Sequence, residues 1–300
     1  NKGNNIYVED NDIYVDAAGA TRIQYCTVDK GAYESADAIQ IKPDENGVYY
    51  VTQNGAGTSD GSSLENASCA MELQRVLNAA GERAKTGMDA IVKIAGYESA
   101  SFVYNANTLS NQDDPQSYTY VIPYGVTVMG GFSDKDGNWD DDSDGYKREP
   151  ITYKTVLSAI NNSSSLEQKV NGYHTVTFGE KPSDWNGNDK KSIIDGIYLI
   201  DGKATSMAGN GNPNTRGGGA VVPSWAHVRN CVVARCEAIE GGGLYVLPGG
   251  IVSGSLIMDN TAENGAGVYA DNTNAGKDSR AHMVSCTVTD NTASSIGGGL

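Results

Sequence analysis

Apolar residues in the C-terminal third of this chain come in short alternating pairs, not in long runs. Leu244 is followed by Val246, and Ile257 stands two places after Ser255, with Gly, Asn, Asp and Ser between such pairs. Alternation is the strand period, and no segment here reaches helical length. The pattern also repeats. Gly217-Gly218-Gly219-Ala220, Gly241-Gly242-Gly243-Leu244, Gly265-Ala266-Gly267-Val268 and Gly297-Gly298-Gly299-Leu300 open successive segments of 24, 24 and 32 residues. Once the segments are set on those glycines, Val228-x-x-Cys231-x-Val233-x-x-Cys236-x-Ala238 aligns with Val252-x-x-Ser255-x-Ile257-x-x-Asn260-x-Ala262. Met283-x-x-Cys286-x-Val288-x-x-Asn291-x-Ala293 follows, and Ile194-x-x-Ile197-x-Leu199-x-x-Gly202-x-Ala204 is an earlier copy.

A period in the twenties means stacked supersecondary units. Leucine-rich repeats would need a run of leucines that is absent, and a propeller blade needs about 40 residues or more. Two or three short strands with glycine-rich corners predict one rung of a parallel β-helix, an all-β solenoid. Equivalent residues then stack at about 4.8 Å. The expected inward columns are Ile194, Val228, Val252, Met283 and Leu199, Val233, Ile257, Val288. Ala204, Ala238, Ala262 and Ala293 suit a tight corner, and Asn260 with Asn291 predicts an asparagine ladder. Gly299-Leu300 starts a further rung with no cap after it, so the solenoid is expected to be open there or to continue.

Upstream, residues 1–45 carry Ile6-Tyr7-Val8 and Ile13-Tyr14-Val15 and match no rung; they read as a β extension or the tail of a preceding domain. Residues 46–300 read as the solenoid domain. It comprises an opening strand and capping helix (46–90), early rungs with long insertions (91–216) and regular rungs (217–300). Ala70, Leu73, Leu77, Ala80 and Ala84 lie at helical spacing, predicting a helix over about 66–84 with Ser63 or Asn66 as its cap. Such a helix would close the end of the stack, which is expected to run from about residue 90. Strands are expected at 90–94, 118–122, 126–129 and 173–178.

The opening segment Tyr50-Val51, Gly55, Asp60-Gly61-Ser62-Ser63, Asn66-Ala67 resembles that of secreted bacterial β-helix proteins. So does Pro123-Tyr124-Gly125-Val126-Thr127-Val128-Met129-Gly130-Gly131-Phe132, followed by Arg148-Glu149-Pro150 and Thr155-Val156-Leu157-Ser158. Gly241-Gly242-Gly243-Leu244-Tyr245 and Asn260-x-Ala262 look like the repeats of polymorphic outer-membrane proteins. The likeness covers roughly residues 46–300. It departs at the repeat's aromatic position, here Val233, Ile257 and Val288. The resemblance implies a right-handed helix, as does the general handedness of parallel crossovers. It also implies a secreted or cell-surface, outer-membrane-associated bacterial protein of the kind often labelled pectate-lyase-like, with adhesion or glycan contact. It brings no catalytic residues.

Composition narrows the partners. With 22 basic and 37 acidic residues the chain is poorly suited to nucleic acid or anionic membranes. No apolar run is long enough to span a bilayer, and any signal peptide would lie upstream of Asn1. Of five cysteines, Cys231 and Cys286 share a column two rungs apart, roughly 9–10 Å, beyond disulfide reach. Both are expected as buried thiols, and whether Cys26 pairs with Cys69 is left open.

Candidate chemistry is sparse. Asp201, Arg235, Asp259 and Asp290 fall in one column, and Arg235, Asp259 and Asp290 have the residue types of a lyase or glycosidase centre. Charges alternating along a solvated edge also simply pair with one another, which is the preferred reading. His174, His227 and His282 show no metal-ligand spacing, and no phosphate-binding motif is present. Asp140, Asp142 and Asp144, with Asp134, Asp136 or Asn138, offer the alternating oxygens of a Ca2+ loop, although an EF-hand fails because Ile151 stands at position twelve. Tyr245 and Tyr269 share a column and are expected to face outward, as a platform for sugar rings or as an aromatic ladder over the sheet. The function expected is a non-catalytic extracellular scaffold for extended glycans or surface polymers. The alternative is a lyase or hydrolase acting on acidic polysaccharide.

Overall fold

The computed structural model describes residues 23–24, 27–28, 39–98, 102–106, 114, 116–133, 139, 148–161, 170–185, 188–206, 212–273, 275–276 and 279–300. Ile6–Val8, Ile13–Val15 and Cys26 lie outside them. Ile23–Gln24 and Thr27–Val28 form an antiparallel pair.

From Val48 onward the chain passes repeatedly through parallel sheets. The longest has eight strands in the order His282–Val284, Ile251–Ser253, Ala226–Arg229, Ser192–Asp195, Thr127–Ser133, Ile91–Gly96, Val48–Thr52, Ser68–Cys69. A second sheet of six strands runs from Thr287–Thr289 through Leu256–Met258, Val232–Ala234, Ile197–Ile200 and Thr155–Ser158 to Tyr104–Asn105. A third has Lys203–Ala204, Glu237–Glu240, Thr261–Asn264 and Thr292–Ile296, and a fourth has Ala220–Val222, Leu244–Val246 and Val268–Ala270. One pass, from Ala226 to Val246, visits all four before the next begins at Ile251. The stack thus starts at Val48 rather than near residue 90, because Val48–Thr52 pairs in parallel with Ile91–Gly96.

The predicted columns are in register. Ile194, Val228, Val252 and Met283 are successive partners in the first sheet. Leu199, Val233, Ile257 and Val288 are partners in the second, and Ala204, Ala238, Ala262 and Ala293 in the third. Ile194, Leu199, Val228, Val233, Val252 and Ile257 are fully buried in one core, each side chain contributing about 1.5–3 kcal/mol. The corners explain the glycines. Gly217, Gly241, Gly265 and Gly297 all have φ near +60°, where a Cβ is strained. Two places later the reason is closeness: a Cβ on Gly243 would sit 2.6 Å from the carbonyl oxygen of Gly267 and 3.0 Å from Ile257 Cγ2.

Polar groups at the inner corners bond along the stack. Asn260 Nδ2 donates to Asn291 Oδ1 (3.0 Å) and to Val233 O (2.9 Å), while Asn260 Oδ1 accepts from Cys236 N (3.0 Å). This is the expected asparagine ladder, ending where Cys236 replaces asparagine. In the neighbouring column Cys231 N donates to Ser255 Oγ (3.1 Å). Cys231, Cys236 and Cys286 are free. Burial pushes the Cys231 and Cys236 thiols up to about 12. Cys286, expected to be buried, is only half-buried, between the strands His282–Val284 and Thr287–Thr289.

The helix is Leu73–Lys85, later than predicted. Ser68–Cys69 pairs with Val51 and Thr52 instead, Cys69 is disulfide-bonded, and both constraints hold the chain extended until Ala70. Neither Ser63 nor Asn66 caps the helix; Asn66 Oδ1 accepts from Thr58 N at 3.1 Å. The buried helix face, Leu73, Val76, Leu77, Ala80 and Ala84, joins the main core. Gly81 allows close approach, since a Cβ there would lie 2.6 Å from Pro123 Cβ. Gln74 completes the seal: its Nε2 donates to Val121 O (3.0 Å) and its Oε1 accepts from Val121 N (2.8 Å), as a neighbouring strand would. Gln74→Ala should destabilise the protein by about 1–3 kcal/mol, measured by chemical denaturation, because two backbone groups lose their partners. Gln74→Glu should recover only the half that accepts from Val121 N.

Candidate functional site

The tyrosine column lies in the fourth sheet, where Tyr245 pairs in register with Tyr269. The rings stack with centroids 5.1 Å apart and planes 3° from parallel. The expectation that both face solvent is corrected: Tyr245 is 1% exposed. Its second face is covered by the Arg216 guanidinium, 4.6 Å from the ring centroid, and Arg216 is held by Glu240 at 2.9 Å. The Tyr245 hydroxyl donates to Asp271 Oδ2 at 2.8 Å; burial and then that carboxylate push its pKa up. Burial alone would raise Asp271, but bonds from Thr273 and Tyr245 and the Arg216 charge bring it below the usual carboxylate range. Tyr269 is half-buried. It walls a pocket of about 400 Å³ with Asn264, Gly265, Ala270, Ile296 and Leu300. The column is therefore a cation–ring–ring stack.

The charged column is a corner. Asp201, Arg235, Asp259 and Asp290 have φ of 67°, 55°, 53° and 56°. Aspartate visits this region more readily than most residues. Arg235 is pinned by two bonds to Asp201, at 3.0 and 3.2 Å, and Asp201 also accepts from Ser158 Oγ at 2.8 Å. Within the column, Arg235 and Asp201 thus pair with each other. His174 is buried with Nδ1 2.9 Å from Gly217 O, and burial lowers its pKa. Asp134, Asp136, Asn138, Asp140, Asp142 and Asp144 lie outside the described residues. No cluster of three or more His, Cys, Asp or Glu suited to a metal occurs among the described residues.

Residue-by-residue reading of the sequence missed a buried ionic centre. Asp195 is an outward residue of its strand, yet only 2% exposed. Arg148 Nη2 donates to its Oδ1 (2.8 Å), Arg229 Nε to its Oδ2 (2.6 Å) and Asn230 Nδ2 to Oδ1 (3.0 Å). Arg148 Nε also reaches Gly130 O at 2.7 Å, so the Gly130-Gly131 and Arg148-Glu149-Pro150 motifs form one contact. Nearby, Lys93 is buried and donates to Trp139 O (2.7 Å), over the ring of Phe132. The sequence signal was Arg148 itself, which joins Asp195 across 47 positions. No family model, curated protein or solved structure matches the chain.

Burial alone would raise the Asp195 pKa, but Arg148, with Asn230 and Arg229, outweighs it and holds the carboxyl below its usual range. A depressed folded-state pKa adds stability that is present above the unfolded value of about 3.9 and is lost as pH falls through the folded value. Asp195→Asn should cost about 3 kcal/mol at pH 7, since it strands two guanidinium groups. It should also flatten the fall of melting temperature below about pH 4. An unchanged acid limb in that variant would assign the acid sensitivity to other carboxylates.

Proposed function

We propose that the stacked passes wind as a right-handed parallel β-helix, with Leu73–Lys85 as its cap, and that the protein is an extracellular recognition scaffold for extended glycans or surface polymers. The observation carrying this reading is the register: repeated parallel strands present the same outward positions at about 4.8 Å intervals, with Tyr269 stacked in line on Tyr245. The parallel sheets fit a β-helix, and the resemblance to secreted β-helix proteins points the same way. The disulfide at Cys69 supports an oxidising compartment. No helix among the described residues is long and apolar enough to cross a membrane.

The Arg235–Asp201 pair favours binding over catalysis, because a proton-abstracting arginine has to be free to meet substrate. On a glycan array, Tyr269→Ala should weaken retention several-fold while leaving the melting temperature within a few degrees. Tyr245→Ala should lower stability instead, because that ring is enclosed by Arg216 and Tyr269. Turnover of a polysaccharide that is lost in Arg235→Ala would replace this reading with the enzyme.

The acidic run completes the proposal as a calcium loop formed by Asp140, Asp142 and Asp144 with Asp134, Asp136 or Asn138. Millimolar calcium should raise the melting temperature and a chelator should reverse the rise. A melting curve unmoved by calcium removes the site.

A further inference from the structure

The outer face of the eight-stranded sheet differs in charge from the rest of the molecule. Val128, Ile194, Val228, Val252 and Met283 form the inward column. By alternation Ile193, His227, Ile251 and His282 face outward on one side of it, and Arg229 and Ser253 on the other. Two residues ahead of the first outward row, in the segments that lead into these strands, stand Lys191, Trp225, Gly249 and Arg280. Backbone bonds between successive passes there, Ser192 N to Trp225 O and Gly249 N to Arg280 O, keep that alignment. The chain carries a formal charge of −15, yet this face gathers Lys191, Arg229 and Arg280. Its carboxylate Asp195 is buried beneath Arg148 and Arg229. Among the described residues neither Lys191 nor Arg280 pairs with a carboxylate. Lys191 Nζ donates to Ser224 O at 2.7 Å.

We propose that this face, from Lys191 to Arg280, is a docking surface for an acidic polysaccharide. The proposal deepens the recognition reading and rests on it, but uses a different surface from Tyr269. Charge spacing selects the ligand class. Lys191 and Arg280 are three passes apart, roughly 14 Å, with Arg229 on a pass between them. Trp225, Ile193 and Ile251, all half-buried, fill the space between the cations with apolar surface. A polymer with one carboxylate or sulfate every sugar or two, and apolar ring faces between, matches both features. A nucleic-acid duplex, with one negative charge per about 1.7 Å, meets too few cations here and an acidic surface beyond them. Burial, then Arg229 and Lys191, lowers the His227 pKa against the opposing pull of Asp195. Lys191, Arg229 and Arg280 are the lysine and arginines of the face. Beside Lys191 the face hollows into a pocket of about 320 Å³ lined by Asp89, Ile91, Thr127, Lys190, Lys191 and Ile193. There Lys190 is already held by Asp89 at 2.8 Å, leaving Lys191 for the ligand.

The test is calorimetric titration of the whole chain with a hyaluronate oligosaccharide, its carboxyl-reduced neutral counterpart, and a single-stranded oligonucleotide of equal charge. The hyaluronate should bind, weakening with added salt, and the neutral form should not. Lys191→Glu with Arg280→Glu should weaken binding about tenfold or more, with an unchanged melting temperature because both residues are exposed. Trp225→Phe should weaken it less than the double reversal does. Equal affinity for the charged and reduced forms, indifference to the double reversal, or tighter binding of the oligonucleotide would each overturn the proposal. If the neutral form binds and Tyr269→Ala abolishes that binding, the scaffold reading stands and this surface is wrong. If neither saccharide binds and an array retains no glycan, both readings fall.

Discussion

In-register parallel stacking is the constraint on which everything else in this structure depends. Each strand finds its hydrogen-bond partner in the equivalent strand of the next pass. A residue must therefore be compatible with its own copies above and below. Inward positions become aliphatic columns, since one polar member would face apolar neighbours on both sides. Corners favour glycine, asparagine and aspartate, with Arg235 and Ser285 the exceptions in these columns, because each pass bends through positive φ at the same three places. Those are the columns of Gly196, Asn230, Gly254 and Ser285, of Asp201, Arg235, Asp259 and Asp290, and of Gly217, Gly241, Gly265 and Gly297. Where a polar side chain does turn inward, as at Asn260, it is kept by bonds to the pass on either side.

The same constraint leaves the two ends of a stack with unsatisfied edges, and the N-terminal end shows the solution. The helix seals the core with an apolar face and then imitates a strand, one glutamine amide pairing with both backbone groups of Val121. Its late start is the cost of anchoring Cys69. A local preference for helix from residue 66 yields to a strand pairing and a disulfide, which are long-range constraints that propensity does not contain.

What was legible in the sequence divides along that line. The inward columns, the alanine column, the asparagine ladder and the tyrosine register were readable because stacking writes them into the chain as repeats. Tyr245 was misplaced because its cover, Arg216, stands where the following passes carry Glu240 and Asn264, so no repeated residue type marks it. Asp195 was passed over because alternation turns it outward, whereas Arg148, from a distant insertion, covers it together with Arg229. The start of the stack at Val48 was missed because the opening strand is separated from its partner by the whole helix. Repeats reveal the frame, and insertions then change the exposure of what the frame presents.

This separation bears on where function can be sought. A residue type imposed by stacking recurs in every pass and says nothing about a ligand. Aspartate recurs in the Asp201–Asp290 column because it tolerates the positive-φ corner that the column occupies. The informative positions are outward ones that break the repeat. Arg216, Trp225 and Arg280 have no like residue at the same place in the adjacent passes, and the frame requires none of them. Under the proposed recognition role, a cation fixed on one pass and absent from the next would match a particular spacing in a bound polymer. In a protein whose folding energy comes from uniformity, the departures from uniformity are where recognition has physical room to act.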